Sequence, residues 1–89
     1  MEFAWDAANT EHIARHGVTC IECEEAYRNG PMVIEHQRRK YERRRLCLGQ
    51  TDNGRLLTFV VTERKGKIRL ITAFPMPAKH REIYRGEEQ

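Results

Sequence analysis

The segment RLITAFPMPAKHREIYR, residues 69 to 85, carries side chains that could together cleave a phosphodiester bond. Cleavage of RNA without a metal needs a base for the 2′-hydroxyl, a cation for the charge that develops on phosphorus, and an acid for the leaving oxygen. We therefore take Arg69 and Arg81 as candidate phosphate and transition-state cations. On a helix, His80 and Tyr84 would be neighbours four positions apart, and Tyr84 is a candidate positioning or proton-transfer group.

Two histidines, His12 and His16, lie four positions apart in the first predicted helix and share one of its faces. His16 falls in the last helical turn, where the macrodipole favours a cation, so we select it as a candidate catalytic acid or base. Both residues also lie on the stripe of Trp5 and Ile13, so packing is the alternative for each. A zinc-protease pattern would need Glu directly after His12, where the sequence has Ile13.

The segment HQRRKYERRR, residues 36 to 45, places six cationic side chains and one carboxylate in ten positions. The whole chain has 16 Lys and Arg against 13 Asp and Glu, so this cluster, rather than the net charge of +3, is the signal. The planar guanidinium group of Arg suits phosphate, and Tyr41 could stack on an unpaired base, so the segment is interpreted as a nucleic-acid-binding surface. The alternatives are a solvated loop and a surface that binds an acidic protein partner. The predicted RNA-binding residues are Arg38, Arg39, Lys40, Arg43, Arg44, Arg45, Lys79 and His80.

The pair Cys20 and Cys23 in CIEC is compatible with a redox or zinc site, because two thiols at a helix start can have lowered pKa values. However, Cys20, Cys23 and Tyr27 fall on one helical stripe, which is typical of core packing. Zinc would need two further ligands, for which His12 and His16 are the obvious candidates. The odd number of cysteines, with no secretory signal, predicts free thiols. We predict no metal site and no cofactor, and keep a small zinc or redox protein as a weaker alternative.

The length of 89 residues and the periodicity of the chain predict one domain, residues 1–89, of α+β class. We expect two N-terminal helices, a four-stranded antiparallel sheet and a C-terminal helix. The predicted helices are 5–16, a second that starts after Thr19 and ends at Gly30-Pro31, and a third from Pro77 to Arg85. Thr19, followed three positions later by Glu22, predicts a capping box at the start of the second helix. The predicted strands are 32–36, 43–51, 55–63 and 68–74, and the run Asp52-Asn53-Gly54 predicts a tight turn between the second and the third. No window approaches the roughly 18 apolar residues of a membrane span, so a cytoplasmic protein is expected.

The basic segment is expected to connect the first two strands and to continue into the second. Because side chains alternate along a strand, Arg43 and Arg45 would share one face with Cys47, and Arg44 would lie on the other face with Leu46. The positive charge could thus line a sheet face as well as a loop.

Three stretches of the chain resemble the BrnT toxins, a family also described as DUF497, of type II toxin–antitoxin modules. They are FAWDAANTEHIARHGVT, LGQTDNGRLLTFVVTER, and IRLITA followed by a short basic helix that ends at Tyr84. The resemblance implies a RelE-like ribonuclease fold and metal-independent RNA cleavage that arrests growth when the toxin is free. It also implies a DNA-binding, BrnA-like antitoxin that dimerises, and hence a toxin–antitoxin hetero-oligomer.

Two positions differ from the pattern of many family members. Phe74 stands where many carry Arg, and Asn9 stands where many carry Lys. These differences favour a second interpretation, a non-catalytic basic module that docks an antitoxin or a nucleic acid.

Overall fold

The computed structural model describes residues 2–86, in which two helices precede an antiparallel sheet and a third helix follows it. The elements are α1 (Ala7–Ala14), α2 (Cys20–Arg28), β1 (Met32–Arg39), β2 (Glu42–Gln50), β3 (Leu56–Arg64), β4 (Lys67–Pro75) and α3 (Ala78–Arg85). This order confirms the α+β fold predicted from the sequence. No helix within residues 2–86 is long and apolar enough to cross a membrane.

Both N-terminal helices begin with a capping box, in which two residues satisfy each other's free backbone N–H groups. In α1, the Asp6 side chain accepts from the Asn9 N–H over 3.1 Å, and Asn9 Oδ1 accepts from the Asp6 N–H over 2.9 Å. Thr19 and Glu22 make the same pair in α2, as their spacing predicted. α1 is shorter than the predicted 5–16, because Asp6 is its N-cap and the chain turns away after Ala14, with Gly17 in a left-handed conformation at φ 72°.

The four strands are hydrogen-bonded in the order β1-β2-β3-β4, and all neighbours are antiparallel. Side chains of directly paired residues lie on the same face of a sheet. The row of Cys47, Phe59 and Ala73 marks the face that packs against α1 and α2, which we call the core face. The opposite face is called the outer face.

Helix α3 packs at one end of the outer face. There Thr58, paired with Leu48 and Phe74, lies with its Oγ1 atom 2.9 Å from Nδ1 of His80. Thr58 and Leu48 are fully buried. The other end of the outer face, towards the β1–β2 and β3–β4 turns, carries mostly charged side chains.

The core lies between the core face and the two N-terminal helices. Its buried members are Ile13, Val18, Cys23, Ala26, Cys47, Leu57, Phe59, Val61, Ile68, Leu70 and Ala73. Gly49 lets α2 approach β2 closely, because a Cβ atom there would lie 3.0 Å from the Ala26 carbonyl oxygen and 3.2 Å from Phe59 Cε1.

The basic segment forms a hairpin, which corrects the expectation of a connection between two shorter strands. β1 continues beyond the predicted residue 36 to Arg39, which pairs with Glu42 across a turn of Lys40 and Tyr41. The sequence shows no alternation here because this part of the edge strand is mostly exposed on both faces. Backbone pairing with β2, rather than burial of apolar side chains, holds it. Residues 38–45 are called the basic hairpin below.

Candidate functional site

The ends of the two hairpins enclose a cleft of about 880 Å³, called the basic cleft. Its lining residues are Arg39, Lys40, Tyr41, Glu42, Arg43, Arg44, Glu63 and Arg64. Five of these eight side chains are cationic and two are anionic, so the cleft has an excess of positive charge. Tyr41, at the tip of the basic hairpin, is fully exposed. Such a surface suits a polyanion, because each neutralised phosphate releases condensed counterions.

The basic hairpin distributes its arginines over both faces of the sheet, as strand alternation predicted. Arg45 lies in the row of Val61 and Leu70 on the core face, and its guanidinium donates to the Tyr27 hydroxyl over 3.2 Å. This hydrogen bond raises the pKa of Arg45, which keeps the side chain charged. Arg44 lies on the outer face, in the row of Thr62 and Arg69. Arg45 therefore lies on the opposite side of the sheet from Arg69.

A second concavity of about 310 Å³, called the outer groove, lies between α1 and the charged end of the outer face. Its lining residues are Ala8, Asn9, His12, Glu42, Arg44, Arg64, Arg69, Leu70 and Ile71. Glu42, Arg44 and Arg64 line both concavities, so the outer groove opens from the basic cleft. Glu42 accepts from Arg44 over 3.1 Å and from Arg64 over 3.3 Å, which holds both guanidinium groups at this junction.

His12 on α1 lines the outer groove, and His16 lies beside it. His16 falls two residues beyond the end of α1, in the turn that follows, rather than in the last helical turn where it was predicted. His12 Nε2 lies 3.0 Å from the Thr72 hydroxyl on β4, and its ring centroid is 5.5 Å from that of His16. The His16 ring in turn contacts Phe74 edge-on, with centroids 6.0 Å apart. His16 itself is exposed. Phe74 thus packs against His16, whose ring also contacts that of His12.

Arg69 joins β4 to the start of α1. Its Nη1 donates to Asp6 Oδ2 over 2.9 Å, and its side chain is only 17% exposed. The neighbouring Asn9 is buried, and its amide donates to the carbonyl oxygens of Ala4 and Leu70. Asn9 therefore stabilises the packing of α1 on β4, in addition to its role in the capping box.

The predicted residues of α3 lie towards the other end of the outer face. His80 is held by Thr58, and Arg81 donates to the Met76 carbonyl oxygen over 2.7 Å. Thr58 and Thr62 are four residues apart on β3, so His80 and Arg69 are separated by about 14 Å along the strand. Tyr84 is half-buried and Lys79 is exposed.

The structure thus brings some predicted residues together and separates others. Arg44 and Arg69 share the outer groove with His12, whose ring contacts that of His16. Arg81 and Tyr84 lie on the same face but nearer its other end. Sequence reasoning missed Arg64 as a lining residue of both concavities. The run Arg64-Lys65-Gly66-Lys67 was a usable signal, since it marks a second turn that adds cations beside the first.

Cys20 and Cys23 take the packing role that their helical spacing predicted, and Cys47 packs in the same core from β2. All three are free, and Cys23 and Cys47 are fully buried. Burial, reinforced by the nearby Cys20, Glu22 and Glu24, raises the pKa of Cys23 to about 12, so this thiol stays protonated at neutral pH. Within residues 2–86, no group of three or more His, Cys, Asp or Glu side chains could hold a metal ion.

These features define a small α+β protein in which the cationic end of a sheet face lies beside two histidines of the N-terminal segment. Residues 5–80 match the family described as ribonuclease toxin, BrnT, of type II toxin–antitoxin system. The chain belongs to this family of ribonuclease toxins, as its sequence motifs indicated. No curated protein and no solved structure matches the chain significantly.

Proposed function

We propose that this chain cleaves RNA by attack of the 2′-hydroxyl on the adjacent phosphodiester, without a metal ion. The observation that carries this proposal is the junction of the basic cleft with the outer groove, where Arg44 and Arg64 line both. A single strand that lies in the cleft can reach the groove without leaving the positive surface. Fixed cations beside a scissile phosphate stabilise the charge that develops in the transition state.

In this proposal, His16 transfers a proton and Arg69 stabilises the transition state. Arg81 acts as a second cation and Tyr84 positions the strand or transfers a proton further along the same face. The backbone contacts come from Arg38, Arg39, Lys40, Arg43 and Arg44, with Lys79 and His80 on α3. Arg45 lies on the core face, so in this proposal it contacts RNA only where the strand wraps around the basic hairpin. Exposed Tyr41 stacks on a base.

The family implies an antitoxin, and we propose a DNA-binding, BrnA-like protein that forms a hetero-oligomer with this chain. Residues 1–89 then act as one toxin domain, which arrests growth in the cytoplasm when the antitoxin is lost. Expression of the chain alone should stop growth, and co-expression of the antitoxin should restore it.

The test is incubation of purified chain, verifiably free of antitoxin, with unstructured RNA at low salt and in EDTA, with and without ribosomes. The expected products carry a 2′,3′-cyclic phosphate and a 5′-hydroxyl, because the 2′-oxygen displaces the 5′-oxygen. Cleavage that stops in EDTA would contradict the metal-independent mechanism. RNA that stays intact in both reactions would contradict the enzyme assignment.

A non-catalytic binding module is the second candidate. It is favoured by the intramolecular bonds of Arg69 to Asp6 and of Arg81 to the Met76 carbonyl, which engage two of the proposed catalytic cations. This module would retard RNA or bind the antitoxin while leaving every phosphodiester bond intact.

A further inference from the structure

We infer that His12 is a second proton-transfer residue, and that His12 and His16 act together as the acid and the base of RNA cleavage. This inference rests on the proposed ribonuclease function and extends it to a residue for which the sequence alone gave no reason to prefer chemistry over packing. It is carried by the geometry of the two rings, by the support of His12 and by the charges around it.

The two imidazole rings are separated by a distance that suits one phosphodiester. Their centroids lie 5.5 Å apart with the planes inclined at 74°. A proton-transfer group must come within about 2.6–3.2 Å of its oxygen. Two rings at this spacing can reach different oxygens of one phosphorus atom, the attacking 2′-oxygen and the departing 5′-oxygen.

His12 is oriented in the way that catalytic bases usually are, by a third group. Its Nε2 atom lies 3.0 Å from the Thr72 hydroxyl, which can donate or accept according to the tautomer. The second ring nitrogen is then available to substrate. A purely packing histidine would be enclosed, whereas His12 is half-buried and lines the outer groove.

The groups around His12 are those that a phosphate would need. From the sheet, Arg44 on β2, Arg64 on β3 and Arg69 on β4 line the same groove. The anions are Glu42, bound to Arg44 and Arg64, and Asp6, bound to Arg69. His16 adds the second ring from the turn that follows α1, and its ring also contacts that of Phe74.

The chemistry balances without a co-reactant. One neutral imidazole removes the 2′-hydroxyl proton while the 2′-oxygen forms a bond to phosphorus. The bond from phosphorus to the 5′-oxygen breaks, and the other, protonated imidazole delivers its proton to that oxygen. The products are a 2′,3′-cyclic phosphate and a 5′-hydroxyl, and the two rings have exchanged protonation states.

The test compares His12→Gln and His16→Gln with wild type over a range of pH, on an RNA oligonucleotide. Gln at position 12 keeps a hydrogen-bonding group for Thr72 but cannot transfer protons. We expect each variant to lose about 10²–10⁴-fold in kcat, the usual contribution of general acid–base catalysis. Wild type should show a bell-shaped pH profile, and each variant should lose a different limb of it. Glu11→Gln, on the exposed side of α1, is the matched control. It should change neither kcat nor the shape of the pH profile.

A substrate whose 5′-oxygen is replaced by sulfur separates the two roles, because a thiolate leaves without protonation. This substrate should restore the rate of the variant that lacks the acid and leave the other variant slow. Rescue of both variants, or of neither, would contradict the assignment of one acid and one base.

A measurement on wild type covers the case in which a variant does not fold. A 2′-deoxy oligonucleotide cannot be cleaved, and its addition should shift the ring proton resonances of both His12 and His16 in NMR spectra. If wild type cleaves RNA while His12→Gln keeps its rate and both pH limbs, the inference fails and the proposed function stands. If wild type cleaves no RNA, both fail.

Discussion

Arg69 Nη1 lies 2.9 Å from Oδ2 of Asp6, the residue whose other carboxylate oxygen caps α1. One carboxylate thus joins the start of α1, which carries His12, to β4, which carries Thr72. Together with the bonds of Asn9 to Leu70 and of His12 to Thr72, this link holds α1 against β4. Arg69 has a structural role whether or not it also contacts a phosphate.

Asp6→Asn should destabilise the fold in a pH-dependent way. The hydrogen bond from Arg69, followed by that from the Asn9 backbone, lowers the pKa of Asp6 below its ordinary value of 3.8. A carboxyl whose pKa is lower in the folded state stabilises the fold at any pH above its unfolded-state pKa. This contribution is lost as the pH falls through the folded-state pKa. Asn still caps the helix, so only the charge is removed. The urea midpoint of unfolding should be measured for both proteins from neutral pH to about pH 2. The difference between the midpoints of Asp6→Asn and wild type should shrink below pH 3.8. A constant difference across this range would contradict the ion-pair argument.

Removing charge from the basic hairpin should weaken the salt dependence of RNA binding. Each lost phosphate contact with single-stranded nucleic acid lowers the slope of log K against log salt by about 0.7. The double variant Arg39→Gln with Lys40→Gln should therefore reduce the slope by about 1.4. Binding of a labelled 2′-deoxy oligonucleotide at several salt concentrations measures it. Arg85→Gln is the control, because it removes an exposed arginine that lies on α3, outside the basic hairpin. It should leave the slope nearly unchanged.

Thr72→Val should slow catalysis without weakening RNA binding. Valine keeps the shape of the side chain but removes the hydroxyl that lies 3.0 Å from His12 Nε2. We expect a fall in kcat of about tenfold, equal to about 1.4 kcal/mol, with little change in KM. Thr72→Ser restores the hydroxyl and should recover most of the rate. Equal losses in the Val and Ser variants would indicate that packing of the methyl group matters instead.

Gly49→Ala should destabilise the protein because the new methyl group has no space. It would lie 3.0 Å from the Ala26 carbonyl oxygen, which is backbone and cannot rotate away. Overpacking of this kind costs about 1–3 kcal/mol. Urea unfolding measures the loss. RNA cleavage well below the unfolding midpoint should be close to wild type, since Gly49 faces α2 on the core face, opposite the outer groove. Unchanged stability would show that α2 can move away from β2.

The sequence predicted the fold well where local signals coincide with tertiary packing. The Thr19–Glu22 capping box and the turn at Gly54 appear in the structure as expected, and β3 lies within one residue of its predicted bounds, buried on both faces from Leu57 to Thr62. The basic hairpin was harder, because an exposed edge strand has no buried face to impose a period of two on the sequence.

The candidate site was less predictable, because it depends on distances between elements. Helical spacing placed His12 beside His16, but no local pattern indicated that Thr72, sixty positions away, would hold the His12 ring. Similarly, Arg69 was predicted as a phosphate ligand from its residue type. Its bond to Asp6 requires knowledge of how α1 crosses β4, which periodicity does not give.

Alkylation should distinguish the packed cysteines from a reactive pair. Burial is the main cause that raises the pKa of Cys23 from 9.0 to about 12, and burial also raises the pKa of Cys47. Because the thiolate is the nucleophile, both should resist iodoacetamide in the folded protein at about pH 8, whereas half-buried Cys20 should react first. A thiol whose pKa is higher in the folded state stabilises the fold at any pH below its unfolded-state pKa. The contribution of Cys23 is therefore lost as the pH rises from 9.0 towards 12. Mass spectrometry should find one adduct in buffer and three in urea. Rapid modification of Cys23 in buffer would contradict the packing role and revive the redox interpretation of CIEC.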